Sequence, residues 1–325
     1  FKWEDKNFDV SASIGLVMIN RMSGSLSELM SAADLACYAA KDSGRDMVHV
    51  YHVDDVEIAE KYRQMQWLPR IKEALKNNEF ELAIQTVASL DDDTSPLIIY
   101  EFLLRWPQND GSLISPGLFI PTAERYDLMR DLDGWVIEKA LATIAQLRTE
   151  LQYPVDQMYT INLSGQSVCD PSLAEYIIGM LRQFEVDPQC ICFEVTETVA
   201  IANFSIAIEF INRLRVLGCR FALDDFGSGL SSFGYLKRLP LDFLKIDGLF
   251  VRDMLNDPVD LAMVRTINDV AKVLKLQTIA EWVEDKATLD MLKSIGIDYA
   301  QGFHISRPVM VSELLPSPQI KLVQS

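Results

Sequence analysis

Hydrophobic and polar positions fall into three stretches of different rhythm. Residues 1–51 carry a β pattern from Phe8 to Met18, a helical pattern from about Ser25 to Lys41, and a short β pattern from Met47 to Tyr51. That is too little apolar surface to bury a core alone. Residues 53–78 are charged and helix-prone, with Ile58, Tyr62, Met65, Leu68 and Ile71 at helical spacing. Pro69 is expected to kink or interrupt that helix.

From Phe80 onward, short apolar β segments alternate with amphipathic helices. The pattern predicts strands at 80–90, 97–106, 158–164, 190–197, 220–226, 243–247, 277–283 and 299–303. It predicts helices near 131–150, 172–184, 203–217, 259–275 and 285–294, with less regular pieces at 117–127 and 229–238. Near-continuous apolar strands between helices indicate a parallel sheet buried on both faces. Eight of them fit an α/β architecture, a (β/α)8 TIM-like barrel. A doubly wound open sheet loses ground because no Gly-rich phosphate loop follows the first strand. The expected organisation is an N-terminal piece at 1–52, a connecting helix at 53–78, the barrel at 79–315 and a tail at 316–325.

Charge narrows the partners. Lys plus Arg number 30 against 47 Asp plus Glu, a formal net charge of −17. Long DNA or RNA is therefore an unsuitable partner, because its binding relies on neutralising phosphates. A small anionic ligand remains compatible if metal ions reverse the local charge. Cys37, Cys169, Cys190, Cys192 and Cys219 are odd in number and lack zinc-knuckle spacing, so they read as reduced thiols of a cytosolic protein. No apolar run is long enough for a membrane span, and the start does not read as a signal peptide. A cytoplasmic location is expected for this piece. With no initiating Met, the chain reads as part of something longer, whose upstream portion is free to carry a membrane anchor.

The predicted strand ends carry the chemistry. The second strand holds Glu101, Leu103 and Arg105 at spacing two. The third ends in Asn162-Leu163-Ser164 and the fourth in Glu194-Val195-Thr196-Glu197. The fifth ends in Asp224-Asp225-Phe226-Gly227 and the sixth in Lys245-Ile246-Asp247. The seventh and eighth end in Glu281 and Gln301. In a barrel of this kind these ends form one rim, where active sites are built. Taken singly, each group is most simply a solvated residue or helix cap. Together, converging carboxylates repel one another and lose hydration, so they persist only with compensating cations. An all-oxygen donor set suits Mg²⁺ or Mn²⁺, and adjacent Asp224 and Asp225 suit a two-ion site for phosphoester cleavage. A carbon-acid enzyme would want several Lys or His bases around the mouth; Lys245 is the only such base at a strand end. His49 and His52 precede the barrel, and His304 reads as structural or solvated.

These residues resemble the motifs of the EAL-domain phosphodiesterases, from Glu101-Phe102-Leu103 through Asp224-Asp225-Phe226-Gly227 and Lys245-Ile246-Asp247 to Gln301-Gly302. The resemblance spans about Phe80 to Pro308. It implies metal-dependent hydrolysis of cyclic di-GMP to pGpG; a catalytically weak or inactive cyclic di-GMP receptor module is the alternative. It implies one ion on Glu101, Asn162, Glu194 and Asp224, and a second on Asp224 with Asp225. Lys245, with Glu281, would position or deprotonate the attacking water. Glu197 would anchor the loop starting at Asp225. Gln85, Leu103, Arg105, Asp133 and Gln301 would line the nucleotide site. Lys245 is expected to titrate low beside cations. In the proteins this chain resembles, the stretch corresponding to Asp225–Leu239, here rich in small residues, links the metal site to a dimer interface, so the resemblance implies a homodimer through the barrel. Phe102 is expected on the outer side of its strand, and Trp282 stands where a Gly is frequent. Residues 1–52 resemble the C-terminal part of a GGDEF domain, through Ser13-Ile14-Gly15, Ala33-Asp34, Tyr38-Ala39-Ala40-Lys41 and Gly44-Arg45-Asp46. The loop that names that family is not in this chain, so no cyclase activity is expected of it.

Overall fold

The computed structural model describes residues 2–3, 6–7, 12–19, 25–42, 46–52, 56–91, 97–108, 110–151, 157–227 and 234–314. The expected features at 8–11, 44–45, 228–233 and 316–325 lie outside them. By its internal packing the chain divides into two units, residues 1–74 with 117–126, and residues 75–116 with 127–325.

In the first unit, strands Ile14–Leu16 and Val48–Val50 pair in parallel, Ile14 opposite Val48 and Leu16 opposite Val50. The helix Leu26–Asp42 connects them and buries Ala32, Ala36, Ala39 and Ala40. Its small side chains let the backbones approach closely. A Cβ at Gly15 would sit 2.2 Å from the Cys37 nitrogen, so only glycine fits there. The helix Val56–Asn77 continues through Pro69, so the proline does not end it.

In the second unit, eight strands close a ring: β1 (Glu81–Ser89), β2 (Ile98–Pro107), β3 (Gln157–Leu163), β4 (Ile191–Thr196), β5 (Arg220–Phe226), β6 (Phe243–Ile246), β7 (Gln277–Ala280) and β8 (Tyr299–Ala300). The predicted strands agree to within a few residues, and the barrel is as expected. One expectation needs correction. β1 runs antiparallel to both neighbours, with Gln85 opposite Glu101 on β2 and Ala300 opposite Ala88 on β8. The reason is connection length: a parallel crossover needs a dozen or more residues, and the stretch between Ser89 and Ile98 is shorter. From β2 to β8 every pairing around the ring is parallel.

Strand alternation sorts the side chains into two layers. Inside the ring each strand contributes one residue to an apolar plug: Val87, Ile99, Met158, Cys192, Ala222, Phe243, Ile279 and Tyr299. Outside, the intervening residues pack beneath the helices. Phe102 is on this outer side, stacked 5.8 Å from Tyr159. Phe193 and Phe221 lie 5.7 Å apart and are fully buried, and Phe210 of the helix Phe204–Arg215 meets Phe221 edge-on. Truncating such a ring forfeits its burial and leaves a cavity. Phe221→Ala is expected to destabilise the barrel by about 3–5 kcal/mol, measured by urea unfolding. A loss below about 1 kcal/mol would contradict this packing.

Candidate active site

The apolar plug determines what lies above it. Two positions further toward the barrel mouth, every strand presents a polar residue: Glu101, Thr160, Glu194, Asp224, Lys245, Glu281 and Gln301. On the antiparallel β1 the count runs backwards, from Val87 to Gln85. One turn of the ring is therefore wholly polar, directly over a wholly apolar one. Thr160 was absent from the sequence-based candidates. Period-two counting back from Asn162 finds it, and its buried Oγ1 has no hydrogen-bond partner.

Lys245 sits at the centre, 1% exposed. Its Nζ lies 2.6 Å from Glu194 Oε2, 2.8 Å from Glu281 Oε1, 3.0 Å from Asp224 Oδ1 and 3.9 Å from Glu101 Oε2. Glu101 is held from the other side, accepting from Asn162 Nδ2 at 2.7 Å and from Gln301 Nε2 at 2.5 Å. Gln301 Nε2 also donates to Gln85 Oε1 at 3.2 Å, and Gln85 Nε2 to the Ser306 carbonyl at 2.9 Å. Gln301 Oε1 is buried without a partner.

Strict alternation would turn Asp225 away from Asp224. The β5–β6 register instead shifts between Leu223 and Phe226, and Asp225 adopts φ 53°. This bulge re-aims the second carboxylate. Oxygens of Asp224, Asp225 and Glu281 then lie within 4.8 Å of one another, a spacing suited to a metal ion. Glu197 clasps the chain beyond the bulge. Its Oε2 accepts from the Gly227 amide at 3.0 Å and its Oε1 from the Tyr235 hydroxyl. Asp133 is buried and accepts from the Ser164 amide at 2.9 Å, fixing the loop after Asn162.

A cavity of about 220 Å³ opens over the polar ring, lined in part by Gln85, Glu101, Leu103, Glu281 and Gln301. Arg105 and Asp133 are not among its lining residues. Arg105 lies two positions beyond Leu103, its Nη1 donating to the Leu104 carbonyl, and burial lowers its pKa.

Burial pushes the Glu194 and Glu281 carboxyls up to about 8, with Lys245 pulling the other way and neighbouring carboxylates adding to the rise. Asp225 is raised by burial and by Asp224. Burial alone would lower the pKa of Lys245, but Asp224, Glu101, Glu194 and Glu281 together raise it well above the ordinary lysine value. Only cations on those same carboxylates could bring it down, as the sequence reading assumed.

Comparison with known proteins adds to this geometry. The family model described as EAL domain matches residues 69–308. The "Cyclic di-GMP phosphodiesterase PdeB" of Shewanella oneidensis is 39% identical over 318 residues, 98% of this chain and 37% of that protein. The "Cyclic di-GMP phosphodiesterase PdeF" of Escherichia coli is 34% identical over 252 residues, 78% of this chain and 32% of that protein. This chain thus spans about a third of the length of these relatives. Among solved structures, the PaMucR phosphodiesterase in its c-di-GMP complex matches with a TM-score of 0.72 at 31% identity, covering 77% of this chain and 100% of that one.

The raised carboxyls make stability depend on pH. Unfolded, Glu194 and Glu281 ionise near 4.5; folded, near 8. Between those values the folded state holds extra protons, so their contribution is complete below about 4.5 and lost as pH rises to about 8. With chelator present, the thermal midpoint is expected to fall between about pH 5 and about pH 8, and added Mn²⁺ should flatten the slope. A midpoint that rises across this window in chelator would contradict the charge balance described.

Proposed function

This chain belongs to the EAL-domain family, and from that premise we propose that its barrel hydrolyses cyclic di-GMP to pGpG in bacterial second-messenger signalling, with divalent metal ions as cofactor. The site's charge pattern carries this reading: five carboxylates, from Glu101, Glu194, Asp224, Asp225 and Glu281, meet a single ammonium at the mouth of a barrel. Lys245 cannot balance them alone. The donor set is all oxygen, which fits Mg²⁺ or Mn²⁺ rather than a soft metal. The relatives named cyclic di-GMP phosphodiesterases support the choice of substrate.

In this reading Glu101, Asn162, Glu194 and Asp224 hold one ion, and Asp224 with Asp225 holds a second. When bound, such ions neutralise charge on the phosphate and acidify water. Lys245 Nζ orients the attacking water, with Glu281 as its partner in moving the proton. One P–O bond breaks, the water oxygen bonds to phosphorus, and the leaving ribose oxygen takes up a proton to become a hydroxyl. Gln85, Leu103, Arg105, Asp133 and Gln301 position the nucleotide, Arg105 offering a planar fork to phosphate. Glu197 holds the segment beyond Asp225 in place. We extend the same reading to a homodimer formed through the barrel, a cytoplasmic location for this part of the protein, and a GGDEF-like origin for residues 1–52. Among the described residues no helix is long and apolar enough to cross a membrane.

Incubation with cyclic di-GMP and Mg²⁺ or Mn²⁺, followed by chromatographic separation, is expected to yield pGpG. Tight binding with no product would move the assignment to a receptor module. Asp224→Asn and Glu194→Gln are each expected to cut the rate by about a hundredfold or more while the fold survives. Lys245→Met should lower kcat with little change in KM. An unchanged kcat with a collapsed affinity would instead make Lys245 a phosphate-binding residue. Light scattering over a range of concentrations is expected to show a dimer; a monomer with constant activity per chain would sink the dimer alone.

A further inference from the structure

Thr160 supplies the only hydroxyl of the polar ring, and it is 1% exposed. Alternation along β3 places its side chain inside the barrel, one level above Met158 of the apolar plug and one level below Asn162. Its register partner on β2 is Glu101, and Asn162 in turn pairs with Glu194 on β4. Three of the four residues assigned above to the first ion thus adjoin one threonine.

The Thr160 Oγ1 has no hydrogen-bond partner. The apolar plug beneath it offers none. The oxygens of its neighbour Glu101 are already engaged, accepting from Asn162 Nδ2 and Gln301 Nε2. Gln301 Oε1, in the same ring, is also buried without a partner. A second threonine of the barrel shows the contrast. Thr278 is fully buried too, yet its hydroxyl lies 3.0 Å from Asn268 Oδ1 and 3.0 Å from Asp298 Oδ2. An orphaned hydroxyl gives up its hydration for nothing, and valine would suit the strand without that cost. Such a group calls for a partner that joins the site later.

The chemistry of the ring says which partner. A hydroxyl both donates and accepts. Mg²⁺ keeps several of its waters when bound to protein, and each directs its hydrogens away from the ion, toward acceptors. We propose that Thr160 is a positioning residue for the first ion, its hydroxyl accepting from a water of that ion's shell and so bracing the ligands on either side. This rests on the metal-dependent reading above. The hydroxyl is then unsatisfied in the metal-free protein and satisfied in the loaded one.

The signature is a pair of effects of opposite sign. Thr160→Val keeps the branched shape and removes the hydroxyl. In chelator, its thermal midpoint is expected to equal the parent's or to exceed it by about 2 °C. In calorimetric titration with Mn²⁺ alone, its dissociation constant is expected to rise about tenfold. Thr160→Ser retains the hydroxyl and is expected to bind Mn²⁺ within about threefold of the parent, which assigns the loss to the oxygen rather than to shape. A valine variant with the parent's Mn²⁺ affinity overturns the proposal. So does one whose midpoint falls by several degrees in chelator, since the hydroxyl would then serve the metal-free fold. A parent that takes up no Mn²⁺ overturns the metal reading along with this one, whereas a parent that binds beside an equally tight valine variant overturns this one alone.

Discussion

The ammonium of Lys245 among its carboxylates is the interaction on which the barrel mouth depends. Four acidic side chains reach it from four different strands or their ends. Burial, with repulsion from neighbouring carboxylates adding to it, pushes two of the carboxyls up to about 8. The fold tolerates the cluster over its apolar floor because Lys245 offsets part of the charge and a chain of hydrogen bonds holds the groups beside it. From Asn162 through Glu101 and Gln301 to Gln85 and the Ser306 carbonyl, each group orients the next. Such a chain fixes the carboxylates in place before any ligand arrives, which lowers the cost of reorganisation during a reaction.

Two backbone departures frame this mouth, and both follow a carboxylate that faces it. At Asp225 the bulge turns a side chain that alternation would send outward; at Trp282 the left-handed residue follows Glu281 directly. Backbone strain concentrates where side-chain placement matters more than regular pairing. Glu197 acts on the first of these departures. With one oxygen toward the Gly227 amide and the other toward Tyr235, it ties together both edges of the segment that leaves the bulge.

Much of this was legible in the sequence, and the reasons are specific. Period-two alternation put Glu101 and Leu103 inside and Phe102 outside, and the structure agrees. Strand ends named the mouth residues because a barrel of β/α units gathers them on one rim. What escaped was set by pairing rather than pattern. Nothing local in Glu81–Ser89 distinguishes a parallel strand from an antiparallel one; only the short connection to β2 does. The bulge at Asp224 and Asp225 is likewise invisible in composition, because it exists only against the register of β6. Thr160 escaped because Asn162, one level higher on the same strand, drew attention from it.

The antiparallel first strand has a further consequence, for the order in which the molecule assembles. β1 meets β2 along seven residue pairs, all close in sequence, but it meets β8 along only two. Closing the ring therefore falls to a thin seam between chain segments more than two hundred positions apart, as in the Gln85–Ser306 bond with its separation of 221. Contacts this distant carry the largest loop-closure entropy and are slow to form. The same seam holds Gln301 against Glu101 and Gln85. A chain with an open seam thus lacks one wall of its cavity, so the completion of folding and the completion of the site are a single event.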